Sequence, residues 1–166
     1  MISISIEGLG DINALPERLR GDIISSIKGT LREECMLVLK EHVESDVYGN
    51  RDGNGLYQAT NSLIGAVDVK NMTVGATSAS FELYINTDKL TRRRKEGQVW
   101  GAYMGFSGQD MAHRVIGFLE NGGGAIPNVF EGLTPRHFLQ NTADELDTKA
   151  AQILAKALVA LGWDAG

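Results

Sequence analysis

The sequence predicts an α+β fold, with a long N-terminal helix and a C-terminal helix packed on a small antiparallel sheet. Three observations carry that expectation. Apolar residues alternate with polar ones near both ends of the first half, at 2–6 and 80–85. Apolar spacings of three and four dominate residues 12–44 and the tail from Thr142 to Leu161. Strand-like and helix-like stretches are segregated along the chain, whereas a doubly wound parallel sheet needs them to alternate.

Taken in order, Ile2, Ile4 and Ile6 alternate with Ser3, Ser5 and Glu7, the pattern of a half-buried strand. Gly8 and Gly10 end it, and Asp11 is placed to cap the next element. From Ile12 to Glu44, Leu15, Leu19, Ile23, Ile27, Leu31, Cys35, Val38, Leu39 and Val43 form one apolar stripe. Pro16 fits a first helical turn. Gly21 and Gly29 each cost about 1 kcal/mol against Ala in a helix, so one long helix with a break, or two end to end, is expected.

Tyr48 to Gly55 (YGNRDGNG) reads as a loop of turn residues. Leu56 to Ile64 is ambiguous. Val67–Val74 and Ser80–Ile85 read as strands, joined through Gly75–Ala79 as a slightly long hairpin connection. Residues 87–110 lack a regular pattern, and a stretch of that length inside one domain reads as a functional or mobile loop. Asp110 to Glu120 fits a short helix, or a strand at 115–119. Gly122-Gly123-Gly124 reads as a hinge. The last helix carries Leu146, Ala150, Ile153, Leu154, Ala157, Leu158 and Leu161 on one side.

At 166 residues the chain reads as a single domain spanning 1–166, long enough to bury a core without disulfide or metal staples. An apolar share of 43% and a charged share of 22% are ordinary for a globular protein. A net charge of -5 argues against a broad basic nucleic-acid face. The single cysteine, Cys35, excludes an intramolecular disulfide and reads as a small buried apolar residue. Met1 to Ile6 has neither the charged nor the apolar region of a signal peptide. No apolar run approaches the ~18 residues of a membrane span.

Chemistry finds little footing. The histidines, His42, His113 and His137, belong to no G-x-S-x-G elbow and no HExxH motif. An enzyme reading would have to rest on His113 and Glu120, without a nucleophile and orienting group beside them. Asn50-Arg51-Asp52-Gly53-Asn54-Gly55 superficially resembles the start of a calcium loop, but the closing twelfth position is Asn61 rather than Glu. The triple glycine is not followed by Lys-Ser or Lys-Thr, so no phosphate cradle is read. No catalytic residue, metal ligand or cofactor is therefore assigned.

One run stands out. Arg92, Arg93, Arg94 and Lys95 precede Trp100, Tyr103 and Phe106. Cations beside aromatics suit protein contact, because exposed Trp and Tyr are common interface anchors. The rest of the chain is acidic, so the run complements another copy of it. The alternative is a small nucleic-acid-binding module, in which residues 92–106 clamp phosphates and stack bases.

Several segments, in order, resemble a family of long-tailed bacteriophages and prophages: the head–tail joining, neck or tail-completion (minor tail component) proteins. They are Ile4 to Leu9 (ISIEGL), the spaced Leu15, Leu19 and Leu31, Gly53 to Leu63 (GNGLYQATNSL), Ala112-His113-Arg114-Val115 with Glu120-Asn121-Gly122, and the box Arg136-His137-Phe138-Leu139 ahead of the last helix. His137 stands where the family's box usually has Pro, and the stretch from about Lys89 to Gly108 is longer than the family's pattern. The resemblance implies a non-enzymatic virion protein, present in the host cytoplasm during assembly. Its implied partners are connector, tail-tube or tail-terminator proteins and further copies of itself, as a ring in many cases. DNA is implied only as cargo through the channel, and no membrane is involved. Arg136, Phe138 and Leu139 are read as a structural box, with Phe138 filling the core ahead of the last helix.

Overall fold

The structure, a computed structural model, describes residues 1–49, 62–90, 116–117, 119–122 and 135–164. The fold is α+β, with a long helical N-terminal stretch, a C-terminal helix and a three-stranded sheet. The chain divides into two compact units, each discontinuous in sequence. The first comprises Met1–Leu39, Asp68–Tyr84 and Thr142–Gly166, and the second Lys40–Val67 and Ile85–Asn141.

Strand β1 (Ile2–Ile6) buries its three isoleucines and exposes Ser3 and Ser5. Asp11 does cap the next turn, accepting from the Asn13 N–H at 3.0 Å. That turn is a 3-10 segment, Ile12–Ala14, and the α-helix starts only at Glu17. Pro16 explains the delay. A residue before proline is pushed out of the helical region, and Leu15 is extended at φ -77, ψ 153.

Helical backbone then runs without a gap to Gly49. It comprises α1 (Glu17–Ser26), a π-helical segment (Ile27–Leu31), α2 (Arg32–His42) and a second π-helical segment (Val43–Gly49). The first wide turn is centred on Gly29; at Gly21 the backbone is regular α-helix. The expected stripe is buried from Ile23 to Val43, with Leu15 and Leu19 half-buried. Helix extends beyond the expected end at Glu44, so Tyr48 and Gly49 are helical and not part of a loop. Residues 50–55, with the calcium-like stretch, lie outside the described residues, as does Asn61.

A short helix α3 (Ser62–Gly65) precedes β2 (Val67–Val74) and β3 (Ala79–Ile85). The sheet order is β1-β3-β2, with β1 antiparallel to β3 and Ile4 opposite Phe81. The hairpin closes through the Gly75 N–H donating to the Ser78 carbonyl at 2.8 Å. After β1, the Leu9 and Ile12 N–H groups donate to the carbonyls of Thr77 and Ala76, fastening the incoming chain to that loop.

Within β2, Asn71 has φ 54. The apolar phase changes there, from Val67 and Val69 to Met72 and Val74. Thr73 Oγ1 and Ser80 Oγ lie 2.9 Å apart, a register that in a regular ladder would set Asn71 opposite Glu82. Lys70 instead reaches Glu82 at 3.5 Å and lies over the Tyr84 ring at 4.9 Å. One extra residue in β2, a β-bulge with Asn71 in left-handed backbone, accounts for all three facts.

In the first unit, Ile23, Ile27, Leu31, Cys35 and Leu39 are buried, as are Phe81, Leu83, Leu146 and Leu154. Full burial of each large apolar side chain stabilises by roughly 1.5–3 kcal/mol. The second unit buries Val43, Leu63, Ala66, Val67, Ile85 and Phe138. Asn86 caps a 3-10 turn at Thr87–Lys89, and its N–H donates to the Ala66 carbonyl at 2.7 Å. Residues 116–117 and 119–121 are helical, in line with the helical rather than the strand reading of that stretch.

The C-terminal helix α4 is Phe138–Ala160, beginning four residues before the expected Thr142. Its end is a Schellman motif. The Trp163 N–H donates to the Leu158 carbonyl at 3.1 Å, and the Gly162 N–H to that of Val159 at 2.9 Å. Gly162 takes φ 87, the left-handed backbone this motif requires. Beyond it, Trp163 Nε1 donates to Asp22 Oδ2 of α1 at 2.9 Å, and Arg18 lies over the indole at 5.6 Å.

Candidate functional site

Two carboxylates of the second unit, Glu120 and Asp46, meet the first turn of α4. Every helix start leaves backbone N–H groups without intrahelical partners. Here Glu120, from the short helical segment upstream, supplies both carboxylate oxygens. Leu139 N–H donates to Oε2 at 2.8 Å and Gln140 N–H to Oε1 at 3.0 Å. The backbone adds two bonds, Arg136 N–H to the Leu119 carbonyl at 2.8 Å and His137 N–H to that of Glu120 at 3.1 Å. A negative charge at this position also meets the positive end of the helix dipole.

His137 has φ 50. Proline locks φ near -65° and has no N–H, so both the backbone angle and the bond to Glu120 exclude it here. Phe138, directly after His137, is fully buried. It stands inside the first helical turn, not ahead of the helix as expected, because the remote carboxylate lets the helix begin at the box. Leu139 is half-buried and enters through its backbone N–H; Arg136 is half-buried.

A second carboxylate meets the same turn. Asn141 Nδ2 donates to Asp46 Oδ2 at 2.9 Å. The same oxygen lies 3.0 Å from His42 Nδ1, and Ser45 Oγ donates to Oδ1 at 2.8 Å. Burial pushes the Asp46 carboxyl up, but the hydrogen bonds from Asn141, Ser45 and His42 together outweigh it and hold the group below its ordinary value. Ser, His and Asp here do not form a nucleophile relay. Serine and histidine both bind the aspartate, whereas activation requires the hydroxyl to bond to the imidazole. The arrangement holds a carboxylate in place and ties the second π-helical segment to α4 through Asn141.

Sequence reasoning placed Glu120 only within a motif and as a weak catalytic candidate; its capping role was missed. Asp46, Ser45 and Asn141 were not singled out. The available signal was slight, since a Glu 19 residues before the N–H it accepts from is no local capping box. His113 lies outside the described residues. So do Arg92, Arg93, Arg94, Lys95, Trp100, Tyr103 and Phe106.

Cys35 is fully buried, and desolvation, helped by Glu34, pushes its thiol up to about 12. A thiol so protonated is a packing group, not a nucleophile. Among the described residues, no cluster of three or more His, Cys, Asp or Glu is arranged to hold a metal ion. No described helix is long and apolar enough to cross a membrane. In comparisons with known proteins, the chain matches no family model, no curated protein and no solved structure.

Proposed function

We propose that this chain is a structural protein of the virion of a long-tailed phage or prophage. It acts in head–tail joining or tail completion through protein–protein contacts around the DNA passage, and performs no chemistry of its own. The observation that carries this reading is the union of two segments of the resemblance. Glu120, of the Glu120-Asn121-Gly122 segment, and the Arg136-His137-Phe138-Leu139 box are joined by two hydrogen bonds into one cap, which the adjoining residues Leu119 and Gln140 extend by one bond each. Motifs spent on holding a helix start are what a framework protein needs. A hydrolase built on Glu120 would need that carboxylate for proton transfer, yet both its oxygens accept backbone N–H groups.

The run Arg92–Lys95, with Trp100, Tyr103 and Phe106, is the proposed contact with neighbouring copies or with connector and tail-terminator proteins. Purified connector, tail-tube and tail-terminator proteins of long-tailed phages test the reading by capture on the immobilised chain. Capture that is lost when the four cations become Ala is the expected result. Failure of every such partner, together with salt-sensitive DNA binding that those four changes abolish, would replace it with the nucleic-acid reading.

A further inference from the structure

Strand β1 is an edge strand. The order β1-β3-β2 leaves one side of its backbone without a strand partner among the described residues. A groove of about 410 Å³ runs along it. One wall is the unbroken stretch Ile2–Glu7; the other is a stripe of α4 that includes Ala143, Leu146 and Ala150. Successive side chains of a strand point to opposite faces, so a groove over one face would meet alternate residues. Contact with six consecutive residues fits a groove that follows the backbone edge. The whole groove lies within the first unit.

A strand edge beside a helix wall receives an extended segment by strand addition: main-chain bonds give affinity and the wall gives selectivity. Of the devices by which edges refuse partners, Ile2–Ile6 is short but carries no proline, lysine or inward charge. Among the described residues, the charged side chains that line the groove are all acidic: Glu7, Asp147 and Asp144, the last of which already has a partner. That selects a cationic occupant, and the densest cation run of this net -5 chain is Arg92-Arg93-Arg94-Lys95.

We propose that the groove between β1 and α4 is the docking site for the Arg92–Lys95 stretch of a second copy, added along β1 as an extended segment. The inference rests on the assembly reading above and names its acceptor surface. Donor and acceptor lie at different places on the chain, so the contact is head-to-tail, the kind that closes rings or builds chains.

Three full-length proteins test it by light scattering over a concentration series, with circular dichroism to verify folding. They are the wild type, the variant with Arg92, Arg93, Arg94 and Lys95 all changed to Ala, and the Glu7→Lys, Asp147→Lys variant. The wild type assembles, and added salt weakens the assembly. Each variant alone stays monomeric, one lacking the donor and the other the acceptor. Their equimolar mixture forms a heterodimer, because one intact donor meets one intact acceptor. Asp147→Lys alone, at an exposed helix position, repeats the groove test should the double change unfold the chain.

A wild type that is monomeric throughout overturns the inference, as does a mixture that stays monomeric. A groove variant that assembles like the wild type, while the Ala variant does not, overturns the groove and leaves the basic run as an assembly contact. An Ala variant that assembles normally overturns both.

Discussion

Two residues in left-handed backbone bracket helix α4: His137 at φ 50 before it and Gly162 at φ 87 after it. They solve opposite problems. At Gly162 the chain closes on itself through bonds spanning three and five residues, and glycine removes the steric cost. At His137 a residue with a side chain accepts that cost, because its N–H and the N–H groups after it are aimed at Glu120. One end is a local motif; the other is held by a carboxylate far away in sequence. Left-handed backbone is therefore supported by residue choice at one end and by partners at the other.

The sharpest break of that comparison is His137→Pro. It removes an N–H that donates and forbids the observed φ, and should cost about 3 kcal/mol or more in urea unfolding. A variant as stable as the wild type would mean that the helix start can be rebuilt without Glu120. Next comes Glu120→Ala, which strips two N–H groups of their acceptors and should cost about 1–2 kcal/mol, as helix caps do. Glu120→Gln keeps one amide oxygen and should fall between. Equal losses for Ala and Gln would assign the whole effect to charge.

Smaller effects sharpen the contrast between the two left-handed positions. Gly162→Ala should destabilise by about 1 kcal/mol. Nothing lies within 4 Å of the added carbon, so that cost is conformational. His137→Gly should stabilise by up to about 1 kcal/mol, since it removes the same strain and leaves the backbone bonds intact. Paired thermal melts of these two variants should shift in opposite directions.

The smallest effect concerns Asp46. Its folded-state pKa is lowered, so the carboxylate contributes stability that is present above its unfolded value of about 3.9 and lost as pH falls through the lower folded value. Asp46→Asn should flatten the acid limb of the stability curve and leave its slope near neutral pH unchanged. An unaltered acid limb would mean that the bonds from Asn141, Ser45 and His42 do not favour the ionised form.

Much of the fold was legible because it rests on periodicity. The alternation of Ile2, Ile4 and Ile6 appears as a strand, and the stripe from Ile23 to Val43 appears as the buried face of a long helical stretch. Gly29, one of two glycines expected to mark a break, sits in the π-helical turn. Less legible were features in which a neighbour outweighs local preference. Helix α1 starts later than the apolar pattern predicts because Pro16 controls Leu15. Helix α4 starts earlier than predicted because its cap comes from Glu120. Within β2, the bulge at Asn71 had a trace in the shifted apolar phase, but only the cross-strand partners of Lys70 and Thr73 identify it.

The sequence by itself determined the α+β class, the two β-hairpin strands and the apolar faces of the helices. Each follows from spacings of two to four residues and needs no distant partner. Tertiary structure alone decided which carboxylates serve the start of α4, that position 137 takes a left-handed backbone, and that β1 stands at the edge of the sheet among the described residues. Those outcomes depend on which groups meet after folding. A donor buried or turned away from water takes whichever acceptor the fold brings to it, at 19 residues' distance as readily as at three.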